Sequence, residues 1–298
     1  MNKIKLWIHL WTLGRWFGLP FFGVSVLIGA VIAGGSLSSL DTWLAFATAA
    51  LLMAGGHSWN TYLDTVWTKL DRPGEAHSVE KGYTSGSVVI TEGWASAKEV
   101  LVNALGWYAL ALIPGIMLAV RVTPWILVPI IYGMSVTFIY CWSKFSYFHE
   151  LVLASGPIAG AIIGALSTGT GEWLNALLVT IPIVLIFSYA GLGLDEYPDA
   201  EANLGKGVKS LAFKVWEYGY DLSLYIMLWV FTAFLIQLFF ISIGILQPLT
   251  ALTLMILPFV IGASVFLKKE QTFKKGALVI VFVAMWYPIL LLLGEVLG

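Results

Sequence analysis

Charge is scarce in this chain. Of its 298 residues only 16 are Lys or Arg and 17 are Asp or Glu, for a formal net charge of -1. That balance leaves no basic surface for nucleic acid, so no nucleic-acid partner is expected. Cysteine is nearly absent as well. The single Cys141 excludes an internal disulfide, a redox pair and any multi-cysteine metal site. Histidine is limited to His9, His57, His77 and His149, and no two of them are spaced as metal ligands on a helix. A small-residue cleavage pattern is also missing near the start. Met1 to Pro20, with Ile4, Trp7, Ile8 and Trp11 at helical spacing, is therefore expected to form an interfacial helix and not a cleaved signal.

Apolar residues fill the space that charge leaves. Hydrophobic residues make up 59% of the chain and the mean hydropathy is +0.88, values too apolar for a soluble domain. Runs long enough to cross about 30 Å of hydrocarbon lie at 16–34, 41–62, 98–119, 124–142, 149–168, 174–194, 220–243, 246–267 and 276–296. The expected fold is all-α: a polytopic membrane protein, a bundle of nine transmembrane helices forming one domain over residues 1–298. The basic residues support this division. Short cytoplasmic loops carry the Lys/Arg excess, and only Arg121 falls on the opposite side from Lys3, Lys5, Arg15, Lys69, Arg72, Lys81, Lys98, Lys144, Lys206, Lys209, Lys214, Lys268, Lys269, Lys274 and Lys275. The chain is thus expected to be integral to the cell membrane. Its amino terminus would be cytoplasmic and its carboxyl terminus external.

Two acidic clusters stand at span ends on the basic, cytoplasmic flank: Asn60-x3-Asp64-x6-Asp71, and Asp195-x3-Asp199 followed by Glu201 and Asn203. A carboxylate in a bilayer helix costs on the order of 2.5 to 3.5 kcal/mol on insertion scales, so such acids need a partner or a role. On a helix continuing to Arg72-Pro73, Asp64 would lie about 40° and Asp71 about 20° round from Asn60, all on one face. Asp195, Asp199 and Asn203 would span about 80° of arc, although Pro198 is expected to bend or restart that helix among the acids. Carboxylate and amide oxygens suit magnesium, which takes one or two carboxylates and leaves room for phosphate oxygens. Two bound ions are expected, one at each cluster. The plainer alternative is a solvated acidic helix end at each site.

Cations are interleaved with these acids. Lys69, Arg72 and Lys81 follow the first cluster, Lys206 and Lys209 the second, and Lys144 stands between them. Lys and Arg are the usual partners of phosphate oxygens, though the positive-inside bias alone would also put cations here. Tyr140-x3-Lys144 places a phenol and an ammonium on one helical face. His57, three residues before Asn60, is most simply a hydrogen-bonded helix histidine.

Taken together these segments resemble the UbiA superfamily of intramembrane prenyltransferases, from about Arg15 to the last span. Asn60-Thr-Tyr-Leu-Asp64 with Asp71 resembles the first aspartate-rich motif, especially in the MenA-like branch that prenylates dihydroxynaphthoate. Tyr140-Cys-Trp-Ser-Lys144, followed by Glu150-Leu-Val, resembles the family's Tyr-x3-Lys motif. Asp195-Glu-Tyr-Pro-Asp199-Ala-Glu-Ala-Asn203, then Gly205-Lys206, resembles the second aspartate-rich motif. Three positions depart from that branch. Asp71 falls one residue beyond the usual gap, Asp195 stands where Asn is common, and Asn203 stands where Asp is common.

The resemblance implies a nine-helix fold and transfer of a polyprenyl group from a prenyl diphosphate to a lipophilic aromatic acceptor, a quinone precursor. It implies magnesium held by Asn60, Asp64, Asp71, Asp195, Asp199 and Asn203. Substrate would be bound by Arg15, Asn60, Arg72, Lys81, Lys144 and Lys206, with Tyr140, Lys144, Asp64 and Asp199 carrying the chemistry at a site opening to the cytoplasm. Other branches would give a glyceryl phosphate ether, haem or chlorin acceptor. Outside the family, the acids could serve as cation sites of an ion-coupled transporter.

Overall fold

The computed structural model describes residues 3–70, 88–201 and 203–298. In chain order its α-helices are α1 (Lys3–Thr12), α2 (Leu19–Ile32), α3 (Leu40–Val66), α4 (Val88–Thr91), α5 (Ala97–Arg121), α6 (Leu127–Ser143), α7 (His149–Leu166), α8 (Trp173–Val184), α9 (Leu192–Glu196), α10 (Leu211–Glu217), α11 (Leu222–Ser242), α12 (Leu257–Leu267) and α13 (Glu270–Leu297). Tighter 3-10 turns lead into α6 and α12, and a π-helical stretch, Leu185–Gly191, joins α8 to α9. No strand occurs among the described residues. Each of the nine apolar runs read from the sequence is helical.

Seven of these stretches are long and apolar enough to cross a membrane: Ala97–Arg121, Pro124–Ser143, His149–Leu166, Trp173–Glu196, Leu222–Ser242, Pro248–Leu267 and Gln271–Leu297. The other two differ for opposite reasons. Helix α2 has only 14 residues, whereas α3 has 27 but carries His57, Asn60 and Asp64 in its second half. The bundle's outer faces fit a hydrocarbon solvent, with Val120, Trp125, Leu235 and Phe259 turned outward. On α1 the expected apolar stripe is present, and Trp7 is 69% exposed.

Local chemistry sets the helix starts. Ser39 accepts from the Asp41 amide to begin α3, Ser96 and Glu99 form a capping box on α5, and Asp221 accepts from the Ser223 amide on α11. Helix ends decide how each acidic cluster is laid out. Helix α3 stops at Val66 instead of continuing to Arg72, because the Thr68 hydroxyl folds back to the Asp64 carbonyl at 3.4 Å and Lys69 turns left-handed at φ 52°. The face that Asp71 was to share therefore ends before it. Asp71, Arg72 and Lys81 lie outside the described residues.

Asp195, Asp199 and Asn203 do not share one helix, and the break falls among the acids beside Pro198. Helix α9 ends at Glu196, two residues before Pro198, whose missing N–H cannot bond back to Leu194. Asp199 and Asn203 sit in the turns beyond. The Asp199 amide donates to the Glu196 carbonyl at 3.1 Å, and the Asn203 amide to the Asp199 carbonyl at 2.9 Å.

Close helix contacts bring the site together. Helix α3 packs along α5, and α2 along α7. At the second contact a Cβ on Gly29 would stand 2.1 Å from the Ala161 carbonyl oxygen, and one on Gly164 would stand 1.9 Å from that of Val26. Only glycine permits so near an approach, as small residues do between membrane helices generally. A cavity remains where α2, α3, α6, α7, the π stretch and α13 face one another.

Candidate functional site

The cavity has a volume of about 340 Å³. Most of its wall is apolar, formed by side chains such as Phe21, Phe22, Leu52, Val152, Phe187 and Ile280. Its polar groups are Arg15, His57, Asn60, Thr137, Tyr140 and Asp195. A largely apolar cavity with a few converging polar groups is the usual form of a site for a lipophilic ligand with a polar head.

The first acidic cluster is organised by one turn of α3. Asn60 Nδ2 donates to Asp64 Oδ2 at 2.9 Å, and the Cys141 thiol donates to Asn60 Oδ1 at 3.1 Å. Lys144 Nζ lies 2.5 Å from the same Asp64 oxygen, and the Thr68 hydroxyl reaches Oδ1 at 3.3 Å. Both charges of the pair are buried: the Asp64 side chain is 5% exposed and that of Lys144 14%. Neither would be stable there alone. Tyr140 and Lys144 do share a face, with Nζ 5.4 Å from the centre of the Tyr140 ring.

The second cluster reaches the cavity through the end of α9. Asp195, at the end of α9, lines it; Asp199 and Asn203 stand further along, half-buried in the turns. Lys206 Nζ donates to the Leu70 carbonyl at 3.3 Å, linking the loop after the second motif to the residues that follow the first. Arg15 reaches the cavity wall from a left-handed turn at φ 47°, ψ 54°. Such a conformation costs a residue with a Cβ about 1 to 2 kcal/mol, and neighbouring tryptophans help to hold it. Trp16 Nε1 donates to the Trp11 carbonyl at 3.1 Å, and the two rings stack at 4.8 Å.

Sequence reasoning missed a second layer behind Tyr140. His149 is fully buried and stacks on the Tyr140 ring at 4.4 Å. Its Nε2 lies 2.7 Å from Glu196 Oε1, and its Nδ1 lies 3.0 Å from the Ser143 hydroxyl. Nearby, the buried Glu150 accepts from the Leu211 amide at 2.6 Å and so ties α7 to the start of α10. His149 and Glu196 are far apart in sequence, so no local spacing announces their pairing. The one available signal was Glu196 standing inside the second motif.

Among the described residues, no three His, Cys, Asp or Glu side chains come together as a metal-binding group. Magnesium asks for less than that. One or two carboxylates with amide and phosphate oxygens complete its shell, and the donors here are oxygens of that kind: Asn60 and Asp64 on α3, Asp195 on α9. The donor chemistry fits this ion.

No protein-family model matches the chain, and no curated protein matches it in sequence. Solved structures do match, along nearly its whole length. A UbiA homologue from Aeropyrum pernix K1, in its apo form, gives a TM-score of 0.64 at 14% identity, covering 95% of this chain and 96% of that one. The chain has the UbiA fold. A structure described in a study of digeranylgeranylglyceryl phosphate synthase in membranes gives 0.61 at 16% identity, covering 100% and 99% of the two chains. A UbiA homologue from Archaeoglobus fulgidus bound to DMAPP and Mg2+ gives 0.57 at 12% identity, covering 95% and 98%. At these identities the likeness is one of UbiA architecture; the roles of single residues rest on this chain's own geometry.

Proposed function

We propose that this chain is a magnesium-dependent prenyltransferase of the UbiA superfamily, one domain over residues 1–298 with all nine runs crossing the membrane. It transfers a polyprenyl group from a prenyl diphosphate to an aromatic, quinone-precursor acceptor, as the MenA-like branch does. The observation that carries this reading is the cavity in which long apolar walls meet Asn60, Tyr140 and Asp195. The DMAPP and Mg2+ bound to the Archaeoglobus homologue support it from the same fold.

In the reaction the allylic carbon–oxygen bond breaks with its electron pair leaving on the diphosphate. A ring carbon of the acceptor attacks the allylic cation, and the ring then loses a proton. Magnesium, when bound, supplies charge neutralisation at the departing diphosphate. One ion would be held by Asn60 and Asp64 with Asp71, a second by Asp195 and Asp199 with Asn203. Lys144 compensates Asp64 and can exchange that carboxylate for a phosphate oxygen, helped by Arg72, Lys81 and Lys206. Tyr140 hydrogen-bonds near the breaking oxygen. Phe22 and Phe187 line the apolar wall and steady the cation by its attraction to their ring faces. The site opens to the cytoplasm.

The test is pyrophosphate release by the purified protein given labelled prenyl diphosphate, magnesium and a panel of aromatic and glyceryl phosphate acceptors. Release that depends on an aromatic acceptor is expected. Asp64→Ala and Asp199→Ala should each remove it while leaving the protein folded, and chelation should do the same to the wild type. A folded protein that releases nothing with any acceptor would turn the reading towards ion-coupled transport.

A further inference from the structure

Asp195 and Glu196 are consecutive on α9, so their side chains leave that helix about 100° apart. Asp195 lines the cavity, whereas Glu196 turns to His149 behind the Tyr140 ring, its Oε1 2.7 Å from Nε2. The direction of one acid therefore fixes that of the other. Helix α9 has five residues, too few to hold its own shape, with the π-helical Leu185–Gly191 before it and Pro198 two residues past its end. Leu192 and Leu194 bury it in the core, but apolar burial is non-directional. The Lys209 amide also ties the later loop to the Lys144 carbonyl at 2.9 Å, yet that bond lies beyond the break and cannot orient α9. Glu196 against His149 can.

His149 is in turn fixed to α6. Its Nδ1 lies 3.0 Å from the Ser143 hydroxyl, which donates to the Tyr140 carbonyl at 2.7 Å. With the one hydroxyl proton committed, Nδ1 carries the N–H and Ser143 Oγ accepts it. The same ring stacks on Tyr140 at 4.4 Å, and Lys144 follows Ser143 at the helix end. One fully buried imidazole thus touches the end of α6, which carries Tyr140 and Lys144, and the end of α9, which carries Asp195. The reaction outlined above uses no atom of His149 or Glu196.

We propose that His149 and Glu196 are positioning residues that lock the rotation of α9 against the end of α6, so that Asp195 and the Lys144–Asp64 pair face the same magnesium diphosphate. They touch neither the diphosphate nor the metal. Their effect passes through Asp195 on one side and through Tyr140 and Lys144 on the other. The inference rests on the prenyltransferase reading, but its test needs no turnover.

Binding of inorganic pyrophosphate would be measured by calorimetry on the full chain in detergent, with and without magnesium, beside a thermal melt of each variant. His149→Phe keeps a ring against Tyr140 but loses Glu196; Glu196→Leu breaks the same contact from the other side; Glu196→Gln keeps the length and can donate to Nε2. The wild type should bind pyrophosphate only with magnesium. His149→Phe and Glu196→Leu should each weaken that binding by roughly ten- to a hundredfold, the usual loss when a group that orients a ligand residue is removed. Combined, they should lose little more than either alone, since both break one contact. Glu196→Gln should retain most of the affinity. Apolar variants that melt lower yet bind as the wild type does would make the pair merely structural and overturn the proposal. A Glu196→Gln variant as weak as Glu196→Leu would overturn it too, by tracing the loss to charge and not to orientation. Should one apolar variant not fold, the other is set against Glu196→Gln by the same criterion. A wild type that binds no pyrophosphate overturns the prenyltransferase reading and this inference with it, whereas variants that match a binding wild type overturn this inference alone.

Discussion

Lys144 is matched to its surroundings in three ways at once: charge against Asp64, ring against Tyr140, and position at the end of α6. Removing one partner of a buried ion pair typically costs about 3 to 5 kcal/mol, because the other charge is left without compensation. Lys144→Met should therefore lower the unfolding free energy by that order in the absence of ligand, and Asp64→Leu added to it should recover much of the loss; thermal unfolding in detergent would reveal additive losses if the pair were an accident of packing. Lys268 is the control. It pairs with Asp221 at 3.2 Å but is 54% exposed. Lys268→Arg should change prenyl transfer by less than about twofold, while Lys144→Arg, which puts a planar fork where a point charge fits, should lose on the order of tenfold. At this scale the sequence made some of the site legible. Tyr140 and Lys144 could be read from their spacing because both lie on one helix, whereas His149 and Glu196 could not, because their contact depends on where two separate helices end.

Elements were easier to read in extent than in detail. Nine apolar runs became helical because hydrocarbon length and backbone satisfaction leave few alternatives. The end of α3 was misread since it is decided by a side-chain hydroxyl, Thr68, and one left-handed residue, Lys69, neither of which marks hydropathy. The π stretch at Leu185–Gly191 left no sign either, though it sits on the cavity wall through Phe187 and Gly191. Glycine's role in α2 and α7 is likewise visible only in the packed pair. Gly164→Ala would force a Cβ to within 1.9 Å of a backbone oxygen that has no freedom to rotate away. The helices must part, at a cost of about 1 to 3 kcal/mol typical of overpacking. Gly29→Ala meets the same interface, so the double variant should lose less than the sum of the two singles in a thermal melt, as residues sharing one contact do. Equal behaviour of Gly262→Ala, where an added Cβ meets nothing within 4 Å, would refute the steric account.

For the whole molecule, the fold states that the chain threads a bundle, and the basic residues are left to state which way. The nine-span reading of the sequence would put fifteen of the sixteen on the flank of the acidic motifs and one, Arg121, on the other; Arg121 Nε is held by Asp41 Oδ1 at 2.7 Å. The stretch Trp173–Glu196 offers a direct test of the direction. It has 24 residues, about 36 Å at a rise of 1.5 Å each, enough to cross the hydrocarbon once. Glu172 precedes its first residue and Glu201 follows its last by five, and both are exposed. With Cys141 first replaced by Ala, Glu201→Cys should react with an impermeant thiol reagent only after the cytoplasmic side is opened, and Glu172→Cys should react in intact cells. Charge on short loops is worth enough to set orientation because each Lys or Arg resists translocation. The reverse labelling pattern would therefore put the acidic motifs, and the diphosphate they are proposed to hold, outside the cell. Labelling of both positions from one side would mean that the stretch does not cross at all.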